Sequence, residues 1–339
     1  MKRQIAKLVE PRRLELFEED IPVLAEDDIL IQNRYVGLCH SDLPPYIGHG
    51  YTCINENGYS FFETNIPYPL SIGHEPLGIV VDVGGKVRDF RPGDMVSGMI
   101  LPAFASHIVA NSTVVVKTNP DPESCGLAEP MMCVANMASI ACPEFGDAVA
   151  VIGCGFMGLM VIMSLKSANI RQLLAVDLQD DRLELARKYG ATQTVNPARE
   201  NLEKAAFHYS GGKMFDVVVE ISGTLRGLDS ALSIIRLADR VGPKGRGKIL
   251  LPSVYAKEEK WNPETGWNMM LRSPIMHVSH PRYCIDVQET MQRAMEMYRR
   301  GILKIEELIT HRIPFEQINK GFDLLEGGDP SYIKGVITF

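Results

Sequence analysis

The sequence predicts an α/β protein made of two parts, and three observations lead to this fold class. Short apolar runs separated by glycine, proline and aspartate extend to about residue 120. From Asp147 to about Ser279, strand-like and helix-like segments alternate. A G-x-G-x-x-G motif follows the first strand-like run of this second part. We therefore expect a β-rich unit followed by a doubly wound parallel sheet.

The first part is expected to consist mainly of short strands. Its candidate strands are the runs ILIQNRYV, LGIVVDVG, DMVSGMI, SHIVA and TVVVK. Each run is short and is bounded by turn-forming residues, which is typical of a β-rich or α+β unit. The final segment, YIKGVITF, is predicted to be a strand that returns to this unit.

The second part shows the alternation that a parallel sheet requires. DAVAVIG precedes FMGLMVIMSLKSAN, QLLAVDL precedes DDRLELARKYG, and FDVVVEIS precedes LRGLDSALSIIRLA. TQTVN comes before a polar helix, and the runs GKILLPS and PIMHVSH complete the series. Strands that alternate with helices of this length predict right-handed crossovers.

The glycine motif VIGCGFMG predicts a dinucleotide site. Gly153, Gly155 and Gly158 lie between an apolar strand and a helix, where glycine permits a tight turn and close approach of a diphosphate. The diphosphate would lie at the helix N-terminus, whose free N–H groups favour an anion. Asp177 follows at the end of the next strand, 19 residues beyond Gly158. A carboxylate there accepts hydrogen bonds from both ribose hydroxyls of NAD, and its charge repels the 2′-phosphate of NADP.

A second group of residues carries the donor atoms that zinc accepts. Cys39 lies in VGLCHSDL, His74 and Glu75 lie in SIGHEPLG, and Glu129 lies in LAEPMM. A thiolate, an imidazole and a carboxylate with room for a water describe a catalytic zinc site. Spacing alone does not prove ligation, so a buried cysteine and a helix-capping glutamate remain the alternatives for any one of these residues.

Composition and charge argue against other classes of protein. The 339 residues carry a net charge of −7 with scattered basic residues, so we expect no nucleic-acid or membrane partner. No apolar run approaches the roughly 18 residues of a spanning helix, and the first residues lack the apolar core of a signal peptide. Seven cysteines without a C-x-x-C pair predict reduced thiols. We therefore expect a cytoplasmic protein.

Motifs along essentially the whole chain resemble those of a known family. VGLCHSD, IGHEPLG with VGGKVRDFRPGDMV, AEP, VIGCGFMG and VDLQDDRLELARKYGA are similar, in this order, to the medium-chain zinc-dependent alcohol and polyol dehydrogenases of the sorbitol-dehydrogenase-like branch. The resemblance implies a GroES-like catalytic domain, residues 1–142 and 280–339, and a Rossmann NAD-binding domain, residues 143–279. It also implies a homodimer or homotetramer.

The resemblance assigns roles to side chains around the candidate metal. Cys39 and His74 match zinc ligands. Glu75 and Glu129 match two acids that ligate zinc or its water, and the sequence does not show which of them binds directly. Ser41 matches a hydroxyl that relays the substrate proton.

Further positions match residues that approach the ligands or orient them. Asp42 matches an acid that orients a ligand imidazole. His40 matches a side chain near the cofactor phosphates, although it could equally face solvent. The remaining positions predicted to contact the cofactor are Gly153, Gly155, Phe156, Met157, Gly158, Asp177, Arg182, Ser222, Gly223, Pro252 and Ser253.

The sequence departs from the family pattern in two places. Residues 95–110 contain no cysteine, so we expect one catalytic zinc and no structural zinc. The aromatic-rich segment 43–70 is longer than the family loop and is either a substrate lid or an inserted surface loop. Tyr46 and His49 in this segment, together with His280, are predicted to contact the substrate.

These observations predict an oxidoreductase that transfers a hydride between NAD and a small polyol, cyclitol or secondary alcohol with the help of zinc. One alternative is a zinc-free quinone or enone reductase of the same superfamily, which the co-occurrence of Cys39, His74 and Glu129 disfavours. Another is an NAD-binding structural or sensor protein that has lost catalysis.

Overall fold

The computed structural model describes residues 1–54, 60–119, 121, 124–237, 245–253, 255, 260, 262–279, 286–327 and 329–339. The chain divides into unit 1, residues 1–131, 287–299 and 305–339, and unit 2, residues 132–286 and 300–304. The domain limits predicted from the sequence, 1–142 with 280–339 and 143–279, remain a proposal.

The strands and helices include those that the sequence pattern predicts, in the same order, together with others that it does not predict. The strands are β1 (Lys2–Glu10), β2 (Arg13–Asp20), β3 (Asp28–Gly37), β4 (Tyr51–Ile54), β5 (Ser60–Glu63), β6 (Glu75–Val83), β7 (Met95–Gly98), β8 (His107–Asn111), β9 (Val115–Lys117), β10 (Ala148–Ile152), β11 (Gln172–Val176), β12 (Gln193–Val195), β13 (Val217–Glu220), β14 (Lys248–Leu251), β15 (Ile275–Val278), β16 (Ile309–Pro314) and β17 (Lys334–Thr338). The α-helices are α1 (Leu43–Tyr46), α2 (Ala128–Ala141), α3 (Phe156–Leu165), α4 (Asp180–Tyr189), α5 (Leu202–Tyr209), α6 (Leu225–Ile234), α7 (Pro263–Arg272), α8 (Val287–Arg299) and α9 (Ile318–Gly327).

Unit 1 is built on a largely antiparallel sheet. Over the described ranges its strand order is β16-β17-β3-β6-β7-β9, with β8 also paired to β3. Ile29 and Ile31 lie on the same face of β3 and belong to one apolar core, which β8 also lines through Ile108. A second core packs Leu38 against residues of α9, including Phe322.

The pairing of strands in unit 1 brings distant residues together. Gly37 at the end of β3 is opposite Glu75 at the start of β6. On its other side, Gly37 is opposite Val336 of β17. A Cβ at residue 37 would collide with the Glu75 carboxylate, so a larger residue here would displace that carboxylate. The segment that follows β3, which carries Cys39, therefore begins beside Glu75.

Unit 2 is a doubly wound parallel sheet. In the part of the chain that is described, the strand order is β12-β11-β10-β13-β14-β15, and each neighbouring pair is parallel. The winding reverses between β10 and β13, where such sheets bind ligands at the carboxyl ends of their strands. The predicted fold class, a GroES-like β-rich unit with a Rossmann parallel sheet, is confirmed. None of the helices in the described ranges is long and apolar enough to cross a bilayer.

Candidate metal and cofactor sites

Cys39, His74 and Glu75 meet where β3 ends and β6 begins. One donor atom from each, a sulfur, an imidazole nitrogen and a carboxylate oxygen, lies within 4.8 Å of the other two. Glu75 is buried, and the other two residues are half-buried. One sulfur, one nitrogen and one oxygen donor form a set that zinc accepts, with a position left for a further ligand. The residues therefore fit the metal that the sequence predicts.

Asp42 controls which nitrogen of His74 faces the metal position. Its Oδ1 lies 3.2 Å from Nδ1 of His74, which places the Nδ1 proton in this hydrogen bond and leaves the lone pair of Nε2 for a metal. The backbone N–H of Gly73 donates to the same oxygen at 3.3 Å. Burial lowers the pKa of His74, but Asp42 and Cys39 outweigh burial and raise this pKa well above its usual value. The surroundings of His74 thus favour positive charge, the sign that a metal cation carries.

Ser41 lies beside two of the three candidate ligands, Cys39 and His74, and is exposed to solvent. It belongs to the short 3-10 turn His40–Asp42, which directly follows Cys39. Its Oγ is 3.2 Å from Sγ of Cys39 and 3.4 Å from Nε2 of His74. The hydroxyl can therefore reach both the donor group and water, as a proton relay requires.

Lys334 and Glu75 form a buried ion pair. Nζ of Lys334 lies 2.5 Å from Oε2 of Glu75, and the two side chains are 5% and 2% exposed. Nζ also donates to the carbonyl oxygen of Leu38 at 2.9 Å. Burial lowers the pKa of Lys334, but Glu75 and Cys39 outweigh burial and raise it. Lys334 is not among the site residues predicted from the sequence, although a lysine inside the apolar run YIKGVITF is a signal that a buried counter-charge exists.

The other residues predicted near the metal occupy different environments. Glu129 is buried in the first turn of α2 and is not part of the three-residue donor group. Its role as a ligand remains a prediction. His40 and His49 are exposed, and His280 lies outside the described residues.

Tyr46 lies in the core instead of at an open surface. It is 0% exposed, and its ring stacks on Phe322 with 4.5 Å between centroids. Its hydroxyl donates to Oδ1 of Asp323 at 3.2 Å. The structure therefore does not support Tyr46 as a substrate contact, because helix α1 turns the ring inward to pack on α9. The rest of the segment 43–70 includes the hairpin β4–β5, on which Phe61 and Phe62 are exposed.

The glycine motif of unit 2 forms a turn that can receive a diphosphate. Gly153 has φ of 95°, a conformation that favours glycine. Gly155 is the N-cap of α3, and a Cβ built on it would meet nothing within 4 Å. A Cβ on Gly158 would collide with the carbonyl oxygen of Gly153, so its absence lets α3 pack on the turn. Open space at a helix N-terminus, with N–H groups facing it, fits a dinucleotide.

Asp177 is held at this turn by two backbone hydrogen bonds. Its Oδ2 accepts from the N–H of Cys154 at 2.7 Å, and its Oδ1 accepts from the N–H of Gln179 at 2.9 Å. Arg182 in α4 is buried close by. Burial lowers the pKa of Arg182, and the charges of Asp177 and Asp181 act in the opposite direction.

The remaining residues predicted to bind the cofactor lie in or directly after the glycine turn, β13 and β14. Phe156 is buried and Met157 is half-buried. Ser222 is exposed, and Gly223 has φ of 68°. Pro252 and Ser253 are half-buried and directly follow β14. Because these strands are parallel, all of these segments lie at the same edge of the sheet.

Comparisons with known proteins extend over almost the whole chain. A family model described as "Alcohol dehydrogenase GroES-like domain" matches residues 25–144, and one described as "Zinc-binding dehydrogenase" matches residues 157–251. L-threonine 3-dehydrogenase of Anaeromyxobacter sp. is 27% identical, with 95% of this chain and 96% of the relative covered. Erythritol/L-threitol dehydrogenase of Mycolicibacterium smegmatis is also 27% identical, with 95% and 93% covered.

The fold is also that of solved dehydrogenase structures. Galactitol-1-phosphate dehydrogenase from Escherichia coli superimposes with a TM-score of 0.81 at 20% identity, and 99% of this chain and 100% of that chain are covered. At this level of identity the likeness concerns the fold. The two family models together match more than half of the chain.

Proposed function

Because the chain belongs to the zinc-dependent medium-chain alcohol and polyol dehydrogenase family, we propose that it oxidises a polyol, cyclitol or secondary alcohol with NAD at a single catalytic zinc. The observation that carries this proposal is the donor group of Cys39, His74 and Glu75 with the Ser41 hydroxyl beside it. A reductase that works without zinc does not need these metal-binding donor atoms.

The names of the relatives suggest a narrower substrate class. Threonine carries an amino group beside its reacting hydroxyl, and erythritol and threitol carry a second hydroxyl there. We therefore propose that the substrate has a polar group on the carbon next to the carbinol.

The residues around the candidate metal site have different roles in the proposed reaction. Cys39, His74 and either Glu75 or Glu129 would hold zinc, which when bound supplies a Lewis acid for the substrate oxygen. Asp42 keeps the proton on Nδ1 of His74 and so keeps Nε2 available. The Ser41 hydroxyl would accept the substrate proton and pass it to water, because it lies beside the donor group and is exposed. Lys334 balances the charge of Glu75.

A metal analysis with a cofactor-reduction screen tests the proposed function. We expect about one zinc per chain and NADH formation with at least one alcohol among polyols, inositols, amino alcohols and simple alcohols. Reduction of quinones or enones by zinc-free protein would favour the reductase alternative. NADH binding without turnover of any alcohol or carbonyl compound would favour the sensor alternative.

We also propose that the protein is a cytoplasmic homodimer or homotetramer. The odd number of cysteines without a C-x-x-C pair is compatible with a reducing compartment. Light scattering of the purified protein measures the number of chains directly, and a monomer at micromolar concentration would contradict the proposed assembly.

The proton relay predicts a specific effect of Ser41→Ala. This variant retains Cys39 and His74 but removes the hydroxyl beside them, so turnover is expected to fall by roughly 10²-fold while the zinc content is unchanged. Ser41→Thr keeps a hydroxyl and is the matched control, with a loss of less than about tenfold. Unchanged turnover of Ser41→Ala at neutral pH would remove Ser41 from the mechanism.

Cofactor preference is expected to depend on Asp177. Its charge repels the 2′-phosphate of NADP, so we expect kcat/KM to favour NAD by at least about tenfold, and Asp177→Ala to reduce that ratio by a similar factor. Asp181→Ala, which removes an exposed acid four residues along the chain, should reduce the ratio less. Steady-state kinetics with both cofactors measure the ratio. A wild-type preference for NADP, or equal effects of the two variants, would overturn the assignment of Asp177.

A further inference from the structure

A buried carboxylate lies at the carboxyl end of β13, beside the glycine turn, and has no part in the function proposed above. Glu220 is 0% exposed. It is opposite Ile152 in the parallel ladder between β10 and β13, and Ile152 directly precedes Gly153. A buried carboxylate costs free energy unless hydrogen bonds compensate it, so its partners indicate what it holds in place.

Three segments of unit 2 converge on this carboxylate. The backbone N–H of Ser222 donates to Oε1 at 2.8 Å, and the Ser222 hydroxyl donates to the same oxygen. The hydroxyl of Tyr255, from the loop after β14, donates to Oε2. A Cβ on Gly227 would collide with Oε1, so the first turn of α6 packs directly on the carboxylate.

Ser222 links the carboxylate to the dinucleotide site. A Cβ on Gly153 would lie 2.8 Å from the backbone nitrogen of Ser222 and 2.9 Å from its Cα, which shows how closely the two turns approach. Ser222 is exposed at this edge of the sheet, whereas Glu220 behind it is fully buried. Glu220 therefore holds Ser222, the residue that approaches the glycine turn most closely from the end of β13.

We propose that Glu220 and Tyr255 are positioning residues for the dinucleotide. The carboxylate fixes Ser222 against the glycine turn and holds Tyr255, which follows Pro252 and Ser253 in the chain, so that these positions at the cofactor site are in place before it binds. Fixing a binding surface in advance lowers the entropy cost of binding and so raises affinity. This inference rests on the proposed NAD site.

NADH binding, followed by fluorescence titration of the intact protein, tests the proposal. Tyr255→Phe removes one hydrogen bond to the carboxylate and is expected to raise the Kd for NADH by about threefold to tenfold, and Glu220→Gln by tenfold or more. The matched control is Tyr209→Phe in α5, because both tyrosines pack on the same apolar core. Asp216→Asn is a second control. Asp216 directly precedes β13, at the end of the strand opposite to Glu220, and its carboxylate accepts a hydrogen bond from the N–H of Ala148 at 2.9 Å.

Steady-state kinetics and thermal unfolding separate positioning from general damage. Because neither residue is placed at the reacting atoms, KM for NAD should rise in Tyr255→Phe while kcat stays within about twofold. Asp216→Asn should lose thermal stability without a change in Kd, and Tyr209→Phe should leave Kd unchanged. Equal Kd values for Tyr255→Phe and Tyr209→Phe, or Kd changes that follow the melting temperature in all four variants, would overturn this inference. A wild-type protein that binds no NADH would instead refute the proposed function.

Discussion

Replacing Cys39 by alanine is expected to remove the zinc and to lower turnover by about 10³-fold or more, because the thiolate is the sulfur donor of the metal group. NADH affinity should stay within about twofold, since the glycine turn and Asp177 belong to unit 2, whereas Cys39 belongs to unit 1. Elemental analysis measures the zinc, fluorescence titration the NADH affinity, and absorbance at the NADH band the turnover.

Cys142→Ala is the matched control for this experiment. Cys142 is an exposed free thiol of unit 2, so its loss should leave zinc content and turnover unchanged. A Cys39→Ala variant that retained its zinc would contradict the ligand assignment. If zinc and NADH affinity disappeared together, Cys39 would have a structural role. Two zinc ions per wild-type chain would contradict the prediction of a single metal site.

In the zinc-free protein, Lys334→Met is expected to lower the free energy of unfolding by about 3–5 kcal/mol, because it leaves the buried carboxylate of Glu75 without a counter-charge. The methionine fills a similar volume, so lost packing contributes little. Urea unfolding followed by circular dichroism measures the change in the free energy of unfolding.

Two further variants make the ion-pair experiment specific. Lys86 pairs with Glu26 at 2.6 Å, but these side chains are 63% and 70% exposed, so Lys86→Met should change stability by less than about 1 kcal/mol. In the double variant Glu75→Gln with Lys334→Met no buried charge is left unpaired, and most of the lost stability should return. Equal stabilities of Lys334→Met and Lys86→Met would show that the buried pair is not formed.

The parallel sheet and its glycine turn were predictable because the information is local. Apolar runs such as AVAVI and QLLAV alternate with helix-forming segments, and burial on both faces of a parallel sheet requires such continuous runs. The turn at Gly153 needs a positive φ that glycine adopts readily. Residue type suggested a zinc site, since sulfur, nitrogen and oxygen donors are a familiar zinc set, but the family resemblance was needed to assign Cys39 and His74, and the sequence left Glu75 and Glu129 open.

The partners of the buried charges were not predictable in this way, since they depend on tertiary pairing. Lys334 lies 259 positions from Glu75, and only the pairing of β17 with β3 brings it there. The buried position of Tyr46 was not predictable for the same reason. Its proximity to Cys39 in sequence suggested a place at the substrate, but packing on Phe322 and a hydrogen bond to Asp323, 277 positions away, place it in the core.

The strand that carries Lys334 follows the whole of unit 2 in the chain, and this order has a consequence for synthesis on the ribosome. The ribosome releases the segment with Cys39, His74 and Glu75 long before it releases β17. While residues 132–286 are translated, the end of β3 therefore lacks its partner strand β17, and the carboxylate of Glu75 lacks Lys334. Unit 2, whose sheet comes from one continuous stretch, can fold during that interval. The nascent chain meanwhile exposes an open strand edge next to a thiol, the kind of surface that aggregates or oxidises. We therefore expect newly made chains to be most prone to aggregation and to thiol oxidation between the translation of residue 75 and that of residue 334.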